Sequence, residues 1–308
     1  MAESLRIPPQ LDGILVLNKA KGPSSADCLR KIKHRLGQKK IGHAGTLDPM
    51  AEGVLPVLFG QATKISGPLL EAGEKIYSGV ILLGIITDTW DAEGRVTERR
   101  PVKAVDDARI KSECAALVGT YEQEVPAYSA AKYRGRPLYE LARKGLEAPT
   151  KTKQVSVYRC EAELVGPERI SFRVACGSGT YIRSLAHSLG IRLGCGGTLE
   201  QLTREYSRPF GLSRAHTLEE VLENPEDFPS MLTGIPDALP DMPRIRLTRE
   251  DADSVRRGGR IPAVVGIPAA GEKFLLLDPD GKALALCIAE PGEARAPVLR
   301  VARGLWNP

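Results

Sequence analysis

The chain has 308 residues, room for one large domain or two unequal ones, and its 42% hydrophobic and 26% charged content excludes a largely disordered or fibrous polypeptide. No apolar run approaches the roughly 18 residues of a membrane span, and the opening MAESLRIPPQ has no apolar signal core, so a cytoplasmic location is expected. The formal net charge is a mild +5.

In chain order, residues 13–18 (GILVLN) are a short apolar run ending in K-A-K-G-P-S-S, which predicts a strand and then a turn. Ser24 or Ser25 can cap a helix with Cys28, Leu29, Ile32 and Leu36 on one face and Arg30, Lys31, Lys33 and Arg35 on the other. The glycine-punctuated loop IGHAGTLDPMAEG leads into the apolar stretch VLPVLFG. Residues 75–84 read as a strand, TDTWDAEGRV as a polar turn, and 106–117 as a helix. RISFRVAC at 169–176 alternates as a strand does, and G-S-G-T then opens a helix with Ile182, Leu185, Ala186 and Leu189 on one stripe. Thr217 and Glu220 form a T-x-x-E capping box. Five prolines between 224 and 243 mark the best candidate boundary. Beyond it a helix ending at Gly258 and two strands around D-P-D-G suggest a small β-rich domain.

The charge is unevenly placed. Between Lys19 and Lys40 eight Lys/Arg face one acid, and between Ala127 and Arg159 eight face two. The rest of the chain is therefore acidic. Two basic blocks on an otherwise acidic protein suit a polyanion binder, although solvated helix faces would read the same way. Six cysteines with no C-x-x-C pair and no zinc-like Cys/His spacing are expected to be reduced, packed thiols, with no structural metal.

The densest chemistry lies in GHAGTLDPMAEG at 42–53, where His43, Thr46, Asp48 and Glu52 sit among glycines that let backbone approach a ligand. Taken alone, Asp48 before Pro49 also fits a helix N-cap with proline at the first helical position.

This stretch resembles the signature of the TruB family of tRNA pseudouridine synthases. Other family-like blocks follow in order: N-K-A-K-G-P-S-S at 18–25, K-I-Y at 75–77, T-D-T-W-D-A-E-G at 87–94 and P-A-Y-S-A-A-K-Y-R-G-R-P-L-Y-E-L-A-R-K-G at 126–145. G-S-G-T-Y-I-R-S-L-A at 177–186 and G-G-T-L-E-Q-L-T-R at 196–204 complete the set, so the likeness covers about 11–215. It implies isomerisation of uridine 55 in the tRNA T-loop with Asp48 as the catalytic nucleophile, attacking either C1′ or C6. Breaking C1′–N1 and forming C1′–C5 exchanges no electrons or groups, so no cofactor is expected. By the same resemblance Arg183 orients the carboxylate, for which a bidentate pair is the expected geometry. Tyr77 packs against the flipped base and could move the C5 proton, Tyr181 and Leu202 line the pocket, and His43 helps disrupt the RNA loop.

Lys19, Lys21, Lys132, Arg134, Arg136, Arg143 and Lys144 are the candidate phosphate contacts. The implied fold class is α+β: a pseudouridine synthase fold with a long mixed, largely antiparallel sheet over 1–240, including a thumb-like insertion at about 124–155. A PUA-like RNA-binding domain over 241–308 would grip the acceptor side of the tRNA. The implied partner is the tRNA T-arm, with a monomer and no obligatory protein partner expected. Ala20, Glu52 and K-T-K-Q-V at 151–155 depart from the family pattern, and Glu52 would bring negative charge near phosphate. A guide-RNA-directed enzyme and a non-catalytic RNA chaperone are the rival readings.

Overall fold

The structure is a computed structural model that describes residues 10–71, 73–103, 105–129, 131–133, 135–143, 151–258, 266, 268–291 and 298–306. By backbone contacts the chain forms two compact units, one of residues 1–47, 54–72 and 209–308 and the other of 48–53 and 73–208.

In the first unit the Gly13–Lys19 strand is almost wholly buried, as its unbroken apolar run requires. It pairs in parallel with His216–Thr217 and antiparallel with Leu232–Thr233. The Ser25–Leu36 helix begins at Ser24, whose side chain accepts from Asp27 N–H while Asp27 reaches back to Ser24 N–H, a full capping box. It stops at Gly37, which supplies the left-handed φ of 62°. Cys28, Ile32 and Leu36 are buried on the expected face, and Leu29 is half-buried at its border. The serine after the cap has another role. Ser25 Oγ donates to Leu47 C=O and accepts from Leu47 N–H, both at 2.9 Å, so the helix start pins the residue that precedes Asp48 in the chain.

The strands that follow the Pro-rich 224–243 stretch contribute to two cores. Along the Lys273–Leu277 and Ala283–Glu290 strands, Leu275, Leu277 and Leu286 pack with Ile14, Val16, Leu58 and Ile235, whereas Phe274, Leu276, Ala285 and Cys287 face Leu247, Ala252 and Val255. The tail is thus a four-stranded sheet, ordered Arg244–Arg246, Lys273–Leu277, Ala283–Glu290 and Val298–Gly304, with one face in its own core and the other in the core of the first unit.

The second unit is built on a sheet whose neighbours are, in order, the start of Ala51–Phe59, then Gly197–Ser207, Lys75–Leu83, Arg169–Cys176, Thr152–Gly166 and Gly119–Glu124. The first pairing is parallel and the others antiparallel. Gly53, at φ 100°, lets the Asp48 segment cross so closely that a Cβ there would lie 2.3 Å from Arg204 C=O. The register pair Thr152↔Glu124 brings the two ends of the 125–151 segment together at one sheet edge. All six cysteines are free thiols, five buried and Cys160 half-buried.

Candidate active site

Asp48 does not cap a helix. Asp48-Pro49-Met50-Ala51 is a turn closed by Ala51 N–H donating to Asp48 C=O at 3.1 Å, and the Ala51–Phe59 strand follows at once. Proline presets φ for the second position of such a turn, so the residue pair that could start a helix here starts a strand. The Asp48 side chain is 40% exposed, and its Oδ2 lies 3.0 Å from Arg183 Nε. Among the described residues Oδ1 makes no hydrogen bond.

Arg183 stands in the first turn of the Ile182–Arg192 helix with its side chain 6% exposed. The expected bidentate pair with Asp48 is not formed, because the guanidinium is shared. Its Nη1 lies 3.3 Å from Asp91 Oδ2 and donates to Thr89 C=O at 3.1 Å, while Nη2 donates to Tyr128 C=O at 3.0 Å. Asp91 is itself fixed: Oδ1 accepts from Thr89 Oγ1 at 2.6 Å and Glu93 N–H at 3.1 Å. Between them Trp90 adopts a left-handed φ of 61° and stacks on His187, with ring centroids 4.6 Å apart and planes 5° from parallel. A bulky residue in that region is strained, and the stack offsets part of the cost. Burial lowers the His187 pKa, so it stacks as a neutral ring near pH 7.

Tyr77 lies on the Lys75–Leu83 strand in register with Arg204, and both are buried. Burial raises the Tyr77 pKa above its ordinary value, although the Arg204 guanidinium beside it acts the other way. The phenol is therefore neutral near pH 7. Leu202, in register with Gly79, points to the same face of the sheet as Tyr77 and Arg204. Tyr181 caps the Arg183 helix with its backbone held by buried Gln123, which accepts from Tyr181 N–H at 2.8 Å and donates to Tyr181 C=O at 3.1 Å.

Asp48, Arg183, Tyr77, Leu202 and Tyr181 thus belong to the second unit, while His43 ends the Ile41–His43 strand of the first, paired with Val57. Glu52 is on the sheet face away from Tyr77, where its Oε1 accepts from Thr203 Oγ1 at 3.0 Å. The negative charge therefore does not face the pocket. Lys19 requires a correction: it is fully buried, and its Nζ donates to Ala20 C=O at 3.0 Å and Pro23 C=O at 2.9 Å. It holds the turn and presents no ammonium to phosphate. Lys21 and Arg136 are exposed. Arg134 and Lys144, and the side chains of Lys132 and Arg143, lie outside the described residues. Asp91, Gln123 and Arg204 had no role in the sequence reading, and only the T-D-T-W-D block hinted at the first.

Residues 33–182 match the family model for the N-terminal domain of TruB family pseudouridylate synthases. Over 306 residues the sequence is 51% identical to tRNA pseudouridine synthase B of Nitratidesulfovibrio vulgaris Miyazaki F, covering 98% of this chain and 99% of that protein. The chain belongs to the TruB family. TruB relatives elsewhere include tRNA pseudouridine synthase B of Geobacillus thermodenitrificans, 38% identical over 91% of this chain and 96% of that one. Like them it is a pseudouridine-forming isomerase. A solved Cbf5-Nop10-Gar1 complex superposes with a TM-score of 0.74 at 24% identity, covering 96% of this chain and 85% of that one, and speaks for the shared fold. Among the described residues no helix of this TruB chain is long and apolar enough to cross a membrane.

Proposed function

We propose that the chain converts uridine 55 of the tRNA T-loop to pseudouridine, with Asp48 as nucleophile and the target base flipped out of its stack. The observation that carries this reading is the division of labour on one carboxylate: Oδ2 is held by the buried Arg183 guanidinium, and Oδ1 is left open on a partly exposed side chain. A held carboxylate with one free oxygen is suited to attack and poorly suited to a purely structural ion pair. Flipping costs a few kcal/mol, and stacking on an aromatic ring returns about 1–3 kcal/mol per base. Tyr77 is the ring we assign to that stack, with Leu202 and Tyr181 shaping the pocket and His43 acting on the RNA loop. The reaction breaks C1′–N1, forms C1′–C5, and moves one proton from C5 to solvent while N1 gains one. The tail sheet is assigned to the acceptor side of the tRNA as a PUA-like domain.

The test is release of tritium from uridine labelled at C5 in a bare T-arm hairpin. The purified protein is expected to turn it over without guide RNA or protein partner. Asp48→Asn is expected to release none while binding the hairpin within about tenfold of the unaltered protein, a difference of about 1.4 kcal/mol. Release dependent on an added guide would favour the guide-directed reading. Undiminished release by Asp48→Asn would remove the nucleophile.

A further inference from the structure

Two residues before Tyr77 on the same strand face, Lys75 opens the Lys75–Leu83 strand with only 6% of its surface exposed. Its ammonium donates to Ser178 Oγ in the G-S-G-T turn at 177–180. No carboxylate pairs with it among the described residues. The charged and titratable groups facing it are Arg204 from the Gly197–Ser207 strand, Lys153 from the Thr152–Gly166 strand and the Cys176 thiol from the Arg169–Cys176 strand. Glu74 is its chain neighbour and is close enough to act on Cys176. Lys153 reaches over the turn: its Nζ lies 1.8 Å from where a Cβ on Gly179 would be, and the φ of 89° there is one that glycine adopts without strain.

Such a cluster is electrostatically unfinished. Burial, then Arg204, then Lys153 lower the Lys75 pKa to about 8. The thiol cannot neutralise the cluster, because burial pushes Cys176 up to about 11 and it stays protonated near pH 7. Cations and hydroxyls converge at a glycine turn that is open on the Lys153 side. An incoming anion would relieve their mutual repulsion and also satisfy Ser178. Two residues along a strand span about 7 Å, which is within one nucleotide's reach from a base on Tyr77 to its phosphate.

We propose that Lys75, Lys153 and Ser178 form a phosphate seat that holds the RNA backbone next to the nucleotide delivered to Tyr77 and Asp48. This rests on the reading of those two residues as the uridine pocket. Phosphate favours the charged ammonium, so RNA affinity falls as pH rises above about 8, by up to tenfold per pH unit.

The test is equilibrium binding of unmodified T-arm hairpin across that pH interval and across salt concentration, with single-turnover rates measured alongside. Lys75→Arg, which stays charged, is expected to bind with little pH dependence where the unaltered protein weakens. Lys153→Met and Lys75→Met are each expected to weaken binding about tenfold and to reduce the steepness of the log–log salt dependence by about 0.7–0.9. Identical pH profiles for Lys75→Arg and the unaltered protein would overturn the seat even if the methionine variants fold poorly. So would unchanged salt slopes in folded methionine variants. If the unaltered protein makes no pseudouridine, the proposed function fails; if it does and the lysine variants bind as before, the phosphate seat alone fails.

Discussion

Arg183 donates hydrogen bonds to two carbonyls and forms ion pairs with two carboxylates. That sharing fixes the guanidinium plane before any RNA arrives, so one rigid donor, Nε, aims Asp48. The two hydrogen bonds from the charged guanidinium to the Thr89 and Tyr128 carbonyls contribute about 1.5–3 kcal/mol each. Asp91→Asn keeps the side-chain shape and removes the charge, and it is expected to lower kcat about tenfold or more while leaving KM within about threefold, since Asp91 is buried against Arg183. Steady-state kinetics on tRNA check this, and an unchanged kcat would make the Asp91 contact incidental. Glu52→Gln is the complementary case. Its side chain faces away from Tyr77, so activity within about twofold and stability within about 0.5 kcal/mol are expected. A rise in RNA affinity would place its charge near phosphate after all. Asp48 and Arg183 were legible in the sequence because each sits inside a contiguous motif. Asp91 was not, because its meeting with Arg183 depends on a turn whose Trp90 takes a φ that composition does not announce.

At the scale of elements, the strands and helices that carry the site follow from local pattern. Alternation set Arg169–Cys176, the 3.6-residue stripe set Ile182–Arg192, and the T-x-x-E box set the Leu218–Glu223 helix. Asp48-Pro49 fits two local structures, since a helix N-cap and a proline turn use the same two residues and the partner chain segment decides between them. The two serines of K-A-K-G-P-S-S separate stability from function. Ser24→Ala removes a cap and is expected to cost about 1 kcal/mol in the denaturant midpoint with kcat intact. Ser25→Ala leaves Leu47 N–H buried without a partner, costing about 1–3 kcal/mol, and is expected to lower kcat as well because Leu47 adjoins Asp48. Equal kinetics for the two variants would show that the Ser25 contact does not steady the Asp48 turn. The proline-rich 224–243 stretch is a feature of local composition. It marks where the chain changes texture, whereas the packing of Leu275, Leu277 and Leu286 with Ile14 and Val16 depends on which strand face is turned inward.

For the whole molecule, a net charge of +5 hides two basic blocks within an acidic remainder. The structure sharpens their roles by taking Lys19 out of the phosphate-binding set and leaving Lys21, Arg30, Lys31, Lys33 and Arg136 exposed. RNA affinity is expected to fall steeply with salt, and a slope near zero would remove the blocks from the interface. The central claim is that a carboxylate held by Arg183 isomerises one uridine of tRNA. Its most direct test is mass-spectrometric mapping of pseudouridine after the purified protein meets unmodified tRNA. The expected result is a single pseudouridine at position 55, absent with Asp48→Asn. Pseudouridine elsewhere, none at all, or an undiminished product from Asp48→Asn would contradict it.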